Sequence, residues 1–221
     1  MLRAELGTSW TVRASAGDRS GRVPETYPAE VPGCVHTDLM AAGVIPDPYL
    51  DGNEAALRWM YDIDWRYAAR LDADVLDLRP PGPGERIDLV FDGIDTVGTV
   101  RLGEGPDKIE LGRTYNMHRS YRFDIHDAVI EGRNDLSVTF TSATRRAEEL
   151  RASAAPWPSA SFGRPYNYIR KMACSWGWDW GPSLTTAGIW RDARIECWTG
   201  AALGSVRPTA HIDPDDASRA E

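Results

Sequence analysis

The run Ile189-Trp190-Arg191-Asp192-Ala193-Arg194-Ile195-Glu196-Cys197-Trp198 reads as a β-strand. Ile189, Ala193, Ile195 and Cys197 share one face with Arg191, while Asp192, Arg194 and Glu196 share the other, the period of two that a half-buried strand imposes. Shorter segments repeat the pattern at Trp65–Ala69, Ile87–Phe91, Ser120–Ile125 and Leu136–Thr141. Turn chemistry separates them at Pro32-Gly33, Asp51-Gly52-Asn53, Pro80-Pro81-Gly82-Pro83-Gly84, Asp92-Gly93 and Gly103 to Pro106. Only two stretches read as helix. Thr37 is expected to cap a short turn over Asp38–Ala42 that Gly43 ends, and Thr144–Ala154 is the longer candidate, stopped by Pro156. Many short strands with one or two short helices predict an all-β protein, a β-sandwich of jelly-roll form.

Upstream of that strand lies Trp176-Gly177-Trp178-Asp179-Trp180-Gly181-Pro182. Its glycines and proline favour a stiff turn over a helix. An indole offers a flat face to the C–H side of a pyranose, and an adjacent carboxylate accepts hydrogen bonds from hydroxyl groups. The segment therefore reads as a sugar-contacting loop. The competing reading is core filler, because alternation at 176, 178 and 180 is also what one face of a strand shows.

Composition excludes several classes. Hydrophobic residues are 42% and charged residues 26% of 221 residues, as in an ordinary globular protein long enough for one domain and the start of another. A net charge of −8 argues against nucleic acid, which needs a basic surface. No apolar run approaches the roughly 20 residues of a membrane span, and Met1-Leu2-Arg3-Ala4-Glu5 lacks the apolar core of a signal peptide, so a cytoplasmic protein is expected. Cys34, Cys174 and Cys197, like His36, His118, His126 and His211, are scattered without metal-ligand or disulfide spacing, and neither a metal nor a cofactor is implied.

The chain resembles the N-terminal domain of β-mannosidases in glycoside hydrolase family two, from about Trp10 to Trp198. Four stretches in order carry the resemblance. They are Val31–Leu39 with Ile45–Tyr49; Asn53-Glu54 with Arg58-Trp59 and Asp64-Trp65; Phe91–Thr96; and Gly177–Pro182 followed by Gly188–Arg191. The resemblance implies a galactose-binding-like jelly roll packed beside a catalytic (β/α)8 barrel of the same full-length chain. It implies that Trp178, Asp179 and Trp180 contact the terminal mannose of a β-mannoside. It also implies that no catalytic residue lies here, since a retaining glycosidase needs two carboxyl groups about 5–5.5 Å apart and in this family both belong to the barrel. Asn53-Glu54 mimics the family's acid/base dipeptide but falls in a different stretch, where Glu54 is expected to pair with Arg58 or Arg66. The loop Leu102–Lys108 is longer than the family's tight turn, and Cys174-Ser175 stands at a variable position.

The expected domain covers residues 1–200, with 201–221 a linker and the truncated start of a following β-sandwich domain. Arg170-Lys171 reads as a solvated charged pair, Trp157 as a cover for the pocket or a contact to a neighbouring domain, and Asp62 with Asp64 as structural. Three functions compete. The chain is the substrate-recognition domain of an exo-β-mannosidase, a free-standing carbohydrate-binding module, or an interface domain whose tryptophans only dock the barrel. β-Galactosidase, β-glucuronidase and exo-glucosaminidase are the sister alternatives.

Overall fold

The computed structural model describes residues 2–6, 9–16, 21–72, 81–103, 105, 108–129, 133–154, 157–158, 163–204 and 206–212. Its strands are β1 (Leu2–Glu5), β2 (Trp10–Ala16), β3 (Tyr27–Ala29), β4 (Asp64–Asp72), β5 (Glu85–Phe91), β6 (Ile94–Asp95), β7 (Gly98–Leu102), β8 (Ile109–Thr114), β9 (Tyr121–Asp124), β10 (Arg133–Phe140), β11 (Gly188–Ile189) and β12 (Ala193–Thr199). They form a six-stranded sheet, β3-β2-β4-β10-β7-β8, and a four-stranded sheet, β1-β12-β5-β9, with β6 and β11 paired as a short ribbon. The pairings are antiparallel. No helix among the described residues is long and apolar enough to cross a membrane.

The core follows from the alternation. Trp65, Tyr67, Ala69 and Leu71 of β4 are buried together, Trp65 opposite Phe140 and Tyr67 opposite Val138 in the register with β10. Ile87, Leu89 and Phe91 of β5 and Ile195 of β12 join the same core from the other sheet. Tyr67 meets Phe140 edge-on with ring centroids 5.6 Å apart, a favourable aromatic geometry. Trp10, the first residue of β2, belongs to this core.

The stretch expected as one strand from Ile189 is two. β11 pairs with β6, and the chain breaks at Trp190–Asp192 before β12 begins. The break is held by bonds of its own: the Trp190 N–H donates to the Gly93 carbonyl at 3.2 Å and the Asp92 N–H to the Asp192 carbonyl at 2.9 Å. Arg194 and Glu196 occupy the face away from Ala193 and Ile195, as the period requires, yet both are buried. Ion pairing makes this tolerable. Arg194 Nε reaches Glu196 Oε1 at 2.7 Å, Arg122 Nη2 reaches Glu196 Oε2 at 2.6 Å, and Arg122 Nη1 reaches the fully buried Asp88 at 2.8 Å. Burial alone would raise the Glu196 carboxyl, but the bonds from Arg194 and Arg122 outweigh it and hold the group below its ordinary range.

Among the described residues, α-helices decorate the sandwich as α1 (Val35–Ala41), the single-turn α2 (Asn53–Ala56) and α3 (Ala143–Ser153). α1 starts at Val35, ahead of the expected Asp38. Cys34 occupies the cap position, and Thr37 lies inside the first turn, its hydroxyl accepting the Cys34 N–H at 3.2 Å and donating to the Cys34 carbonyl at 2.7 Å. Gly43 ends it at φ +70°, as expected. α3 is capped by Ser142, whose hydroxyl accepts the Arg145 N–H at 3.1 Å; Pro156, the expected stop, lies outside the described residues.

α1 is seated on the ribbon. The Gly33 N–H donates to the Ile189 carbonyl and the Val35 N–H to the Ala187 carbonyl, each at 2.9 Å. Between them Gly188 comes so close that a Cβ there would lie 2.6 Å from the Gly33 carbonyl oxygen and 2.8 Å from Cys34 Cα. On its inner face Asp38 accepts the Glu30 N–H at 3.0 Å and the Tyr67 hydroxyl, which binds α1 to the middle of the six-stranded sheet. Burial raises the Asp38 carboxyl despite both bonds, and burial together with the facing carboxylate pushes the Tyr67 hydroxyl well above its usual value. Gly188→Ala would drive a methyl into backbone on both sides, so it is expected to cost about 1–3 kcal/mol. Urea unfolding should read this as a lowered midpoint.

His36 of α1 is 4% exposed, and neither ring nitrogen has a hydrogen-bond partner among the described residues. Burial, then the nearby Lys171 cation, lower its pKa from 6.5 to about 4, with Asp95 opposing weakly. The unfolded chain therefore takes up a proton near pH 6.5 that the folded chain refuses until about pH 4. Stability from this group is present above pH 6.5 and is lost as pH falls toward 4, by roughly 3 kcal/mol across the window. His36→Phe should flatten the fall of melting temperature between pH 6.5 and 4 relative to the parent. Parallel curves would contradict the assignment to this ring.

Candidate functional site

The three tryptophans of the 176–182 segment do not share a face. Trp176 ends a 3-10 turn (Ala173–Trp176) and is buried against Ala143, Ala147 and Ile169, beside α3. Gly177 then turns the chain at φ +97°, a conformation costly for any residue with a side chain, and its α-carbon faces Ser183 so closely that a Cβ would lie 3.3 Å from the serine Cβ. Beyond it Trp178 and Gly181 form an isolated antiparallel bridge, the Trp178 N–H donating to the Gly181 carbonyl at 3.1 Å and the reverse bond measuring 3.4 Å. Asp179 and Trp180 are the tip of this tight turn. Trp178 is 48% and Trp180 74% exposed, and Asp179 is exposed between them. The two indoles and the carboxylate stand out from the protein as a small aromatic-acidic platform.

Two sets of bonds hold the turn. On its far side the Ser183 N–H donates to Glu54 Oε1 at 3.1 Å, and the Ser183 carbonyl accepts the Tyr61 hydroxyl. Burial raises the Tyr61 hydroxyl above its ordinary value, so it remains a donor at neutral pH. Glu54 thus forms no ion pair with Arg58 or Arg66, contrary to expectation; it works locally, as a cap on a loop amide rather than as half of a charge pair. α2 and the 3-10 turn Arg58–Asp62, which the alternation pattern had not revealed as helical, exist at the position needed to supply these groups.

At the base of the loop the expectation for Lys171 is overturned. Its side chain is fully buried instead of solvated. The ammonium donates to Asp95 Oδ1 at 2.6 Å and Oδ2 at 2.5 Å, and to the carbonyl and the hydroxyl of Thr186, each at 3.0 Å. The Thr186 hydroxyl in turn donates to Asp95 Oδ2 at 2.6 Å, and the Thr96 hydroxyl to Oδ1. Desolvating a cation is tolerable only when a counter-charge and its remaining donors are satisfied, and here they are. Spacing could not announce this group, since Asp95 and Lys171 lie 76 residues apart.

The other singled-out residues fall outside the turn. Asp62 closes a 3-10 turn and Asp64 opens β4, where it accepts the Ser142 N–H at 2.7 Å and pairs with Arg145, so the two aspartates do not share a strand. Trp157 is 65% exposed, its N–H bonded to the Tyr168 hydroxyl at 2.9 Å. Two open clefts of about 650 and 700 Å³ are lined by residues outside 172–185. With both indoles and Asp179 exposed, a sugar resting on the turn would need a second wall to be enclosed.

A family model described as the glycosyl hydrolase 2 galactose-binding domain-like domain matches residues 10–191. The β-mannosidase of Bos taurus is 39% identical over 86% of this chain and 22% of its own length, and β-mannosidase B of Aspergillus oryzae is 37% identical over 94% of this chain and 24% of its own. The crystal structure of a β-D-mannosidase from Dictyoglomus thermophilum superposes with a TM-score of 0.76 at 33% identity, over 90% of this chain and 23% of that one. An exo-chitosanase of Amycolatopsis orientalis shares the fold at a TM-score of 0.65 and 16% identity, over 96% of this chain and 22% of that chain. The chain thus spans less than a quarter of the length of these relatives, and it belongs to the glycosyl hydrolase 2 galactose-binding domain-like family.

Proposed function

We propose that this chain is the substrate-recognition domain of a retaining exo-β-mannosidase, in which Trp178, Asp179 and Trp180 contact the terminal β-D-mannose while a (β/α)8 barrel of the full-length chain carries both catalytic carboxyl groups. The observation that supports it best is the exposed pair of indoles flanking a carboxylate on a turn whose other side is tied down through Ser183. A mannoside, rather than another glycoside, is favoured because relatives at 37–39% identity are β-mannosidases, while the sandwich itself does not discriminate. The domain ends near residue 200, and 201–221 leads into a following β-sandwich domain. A cytoplasmic location belongs to the same proposal, on the ground that Met1-Leu2-Arg3-Ala4-Glu5 lacks the apolar core of a signal peptide.

Remote contacts of this kind matter to rate. Binding energy from hydroxyls that do not react holds the ring near its distorted transition state, so losing a contact lowers kcat/KM without removing the chemistry. Asp179→Ala in the full-length protein deletes charge-assisted bonds worth about 1.5–3 kcal/mol, and kcat/KM on an aryl β-mannoside should fall about 10- to 100-fold. Asp179→Asn keeps the shape and one acceptor and should retain part of the loss. Because the tip is exposed, neither change should move the melting temperature appreciably. Unchanged kcat/KM in a folded Asp179→Ala protein would mean that the turn does not touch sugar.

The 221-residue chain alone is expected to release no aryl alcohol from β-mannosides. Glu54 has the identity of a catalytic acid but is spent on the Ser183 amide. Steady release by the purified chain, lost in Glu54→Gln, would reverse this assignment.

A further inference from the structure

We propose that Asp95 is a positioning residue for the sugar-contacting turn, acting through Lys171 and Thr186. This rests on reading Trp178–Trp180 as the sugar contact. The fourteen residues 172–185 form one excursion from the sandwich, and Lys171 and Thr186 are its two feet. Both feet are bonded to one carboxylate and to each other: Lys171 Nζ to Asp95 at 2.6 and 2.5 Å, Thr186 Oγ1 to Asp95 at 2.6 Å, Lys171 Nζ to the Thr186 carbonyl at 3.0 Å. Asp95 does not belong to the loop. It is contributed by β6, opposite Gly188 in the ribbon, next to the fully buried Ile94. The knot thus transfers the rigidity of the core to the neck of an exposed loop.

Stability alone does not account for such an arrangement. Replacing a buried ion pair by apolar groups of similar volume is often neutral or stabilising. What methyl groups cannot supply is direction: four short bonds fix the separation and orientation of the two feet, whereas apolar packing leaves them free to slide. That freedom matters at a reaction site, because a shift of about 1 Å costs on the order of 100-fold in rate. Trp176 in its satellite core and Ser183 on Glu54 and Tyr61 hold the middle of the loop independently. Loss of the knot should therefore displace the tip without unfolding the excursion.

The test uses three variants of the full-length protein. Asp95→Asn strands a buried ammonium and Lys171→Met strands a buried carboxylate, so both should lower the melting temperature. The double variant Asp95→Asn/Lys171→Met leaves no stranded charge and should recover most of that loss. Its kcat/KM on aryl β-mannoside should nevertheless stay about 10-fold below the parent, with KM raised, and its backbone amides in 172–185 should exchange faster while those of β5 and β10 do not. If kcat/KM recovers together with the melting temperature, the pair serves folding alone and the proposal falls. It falls equally if exchange in 172–185 matches the parent in every variant. A parent protein inactive on every β-mannoside would overturn the functional reading instead, and the exchange measurement would still decide whether the knot orders the turn.

Discussion

An ammonium group taken wholly out of water must find a counter-charge and enough acceptors at the place where it is buried, and Lys171 finds them only because Asp95 is delivered there. That delivery has a long train of requirements. Asp95 is held by the pairing of β6 with β11, and β11 must carry glycine at 188 because the start of α1 lies directly against it. α1 is fastened in turn to β4 through Asp38 and the Tyr67 hydroxyl, at the middle of the larger sheet. The ordered path from the densest part of the core to the most exposed indole of the loop runs through polar groups in buried positions, each with its partner.

The same principle governs the outer face of the smaller sheet. Asp88 and Glu196 are as inaccessible as core leucines, and they are tolerated because Arg122 bridges both while Arg194 pairs with Glu196 and Asp92. The Arg86 and Arg122 guanidinium groups lie over the Trp198 ring, 5.7 and 5.5 Å from its centroid, where the ring face attracts cations. Charge alternating with apolar residues along β5 and β12 therefore does not mark a fully solvated face, since the carboxylates lie beneath half-exposed arginines. It marks a second, polar layer outside the hydrophobic one.

The turn Trp178–Gly181 lies outside the two open clefts, one beside Trp190 and one beside Trp198. A turn with two exposed indoles has little enclosed area by itself, which suits a group that completes a pocket formed by something else. The ties at Ser183 and the knot at the neck reduce the freedom the turn would otherwise lose on meeting a ligand. Trp176 contributes to the same end by being hidden: as a buried wedge against α3 it stiffens the approach to Gly177.

Local chemistry was legible in the sequence wherever the cause is local. The strands over 65–69, 87–91 and 136–140, the helix over 144–153 and the left-handed stop at Gly43 follow from side-chain period, propensity and a missing Cβ, and all were readable from neighbouring residues. So was the turn at Gly177–Pro182 with its aromatic and acidic content. Tertiary structure alone decided which tryptophan is buried and which two are exposed, since three indoles at a spacing of two look alike until Gly177 breaks the alternation. It alone decided that Glu54 caps a loop amide and that Lys171, apparently one of a solvated pair, is the buried tie of the loop. The physical reason is the same in each case: propensity acts over a few residues, whereas the cost of burying a polar group is settled by partners brought from 76 or 129 positions away, which no periodicity in the chain can encode.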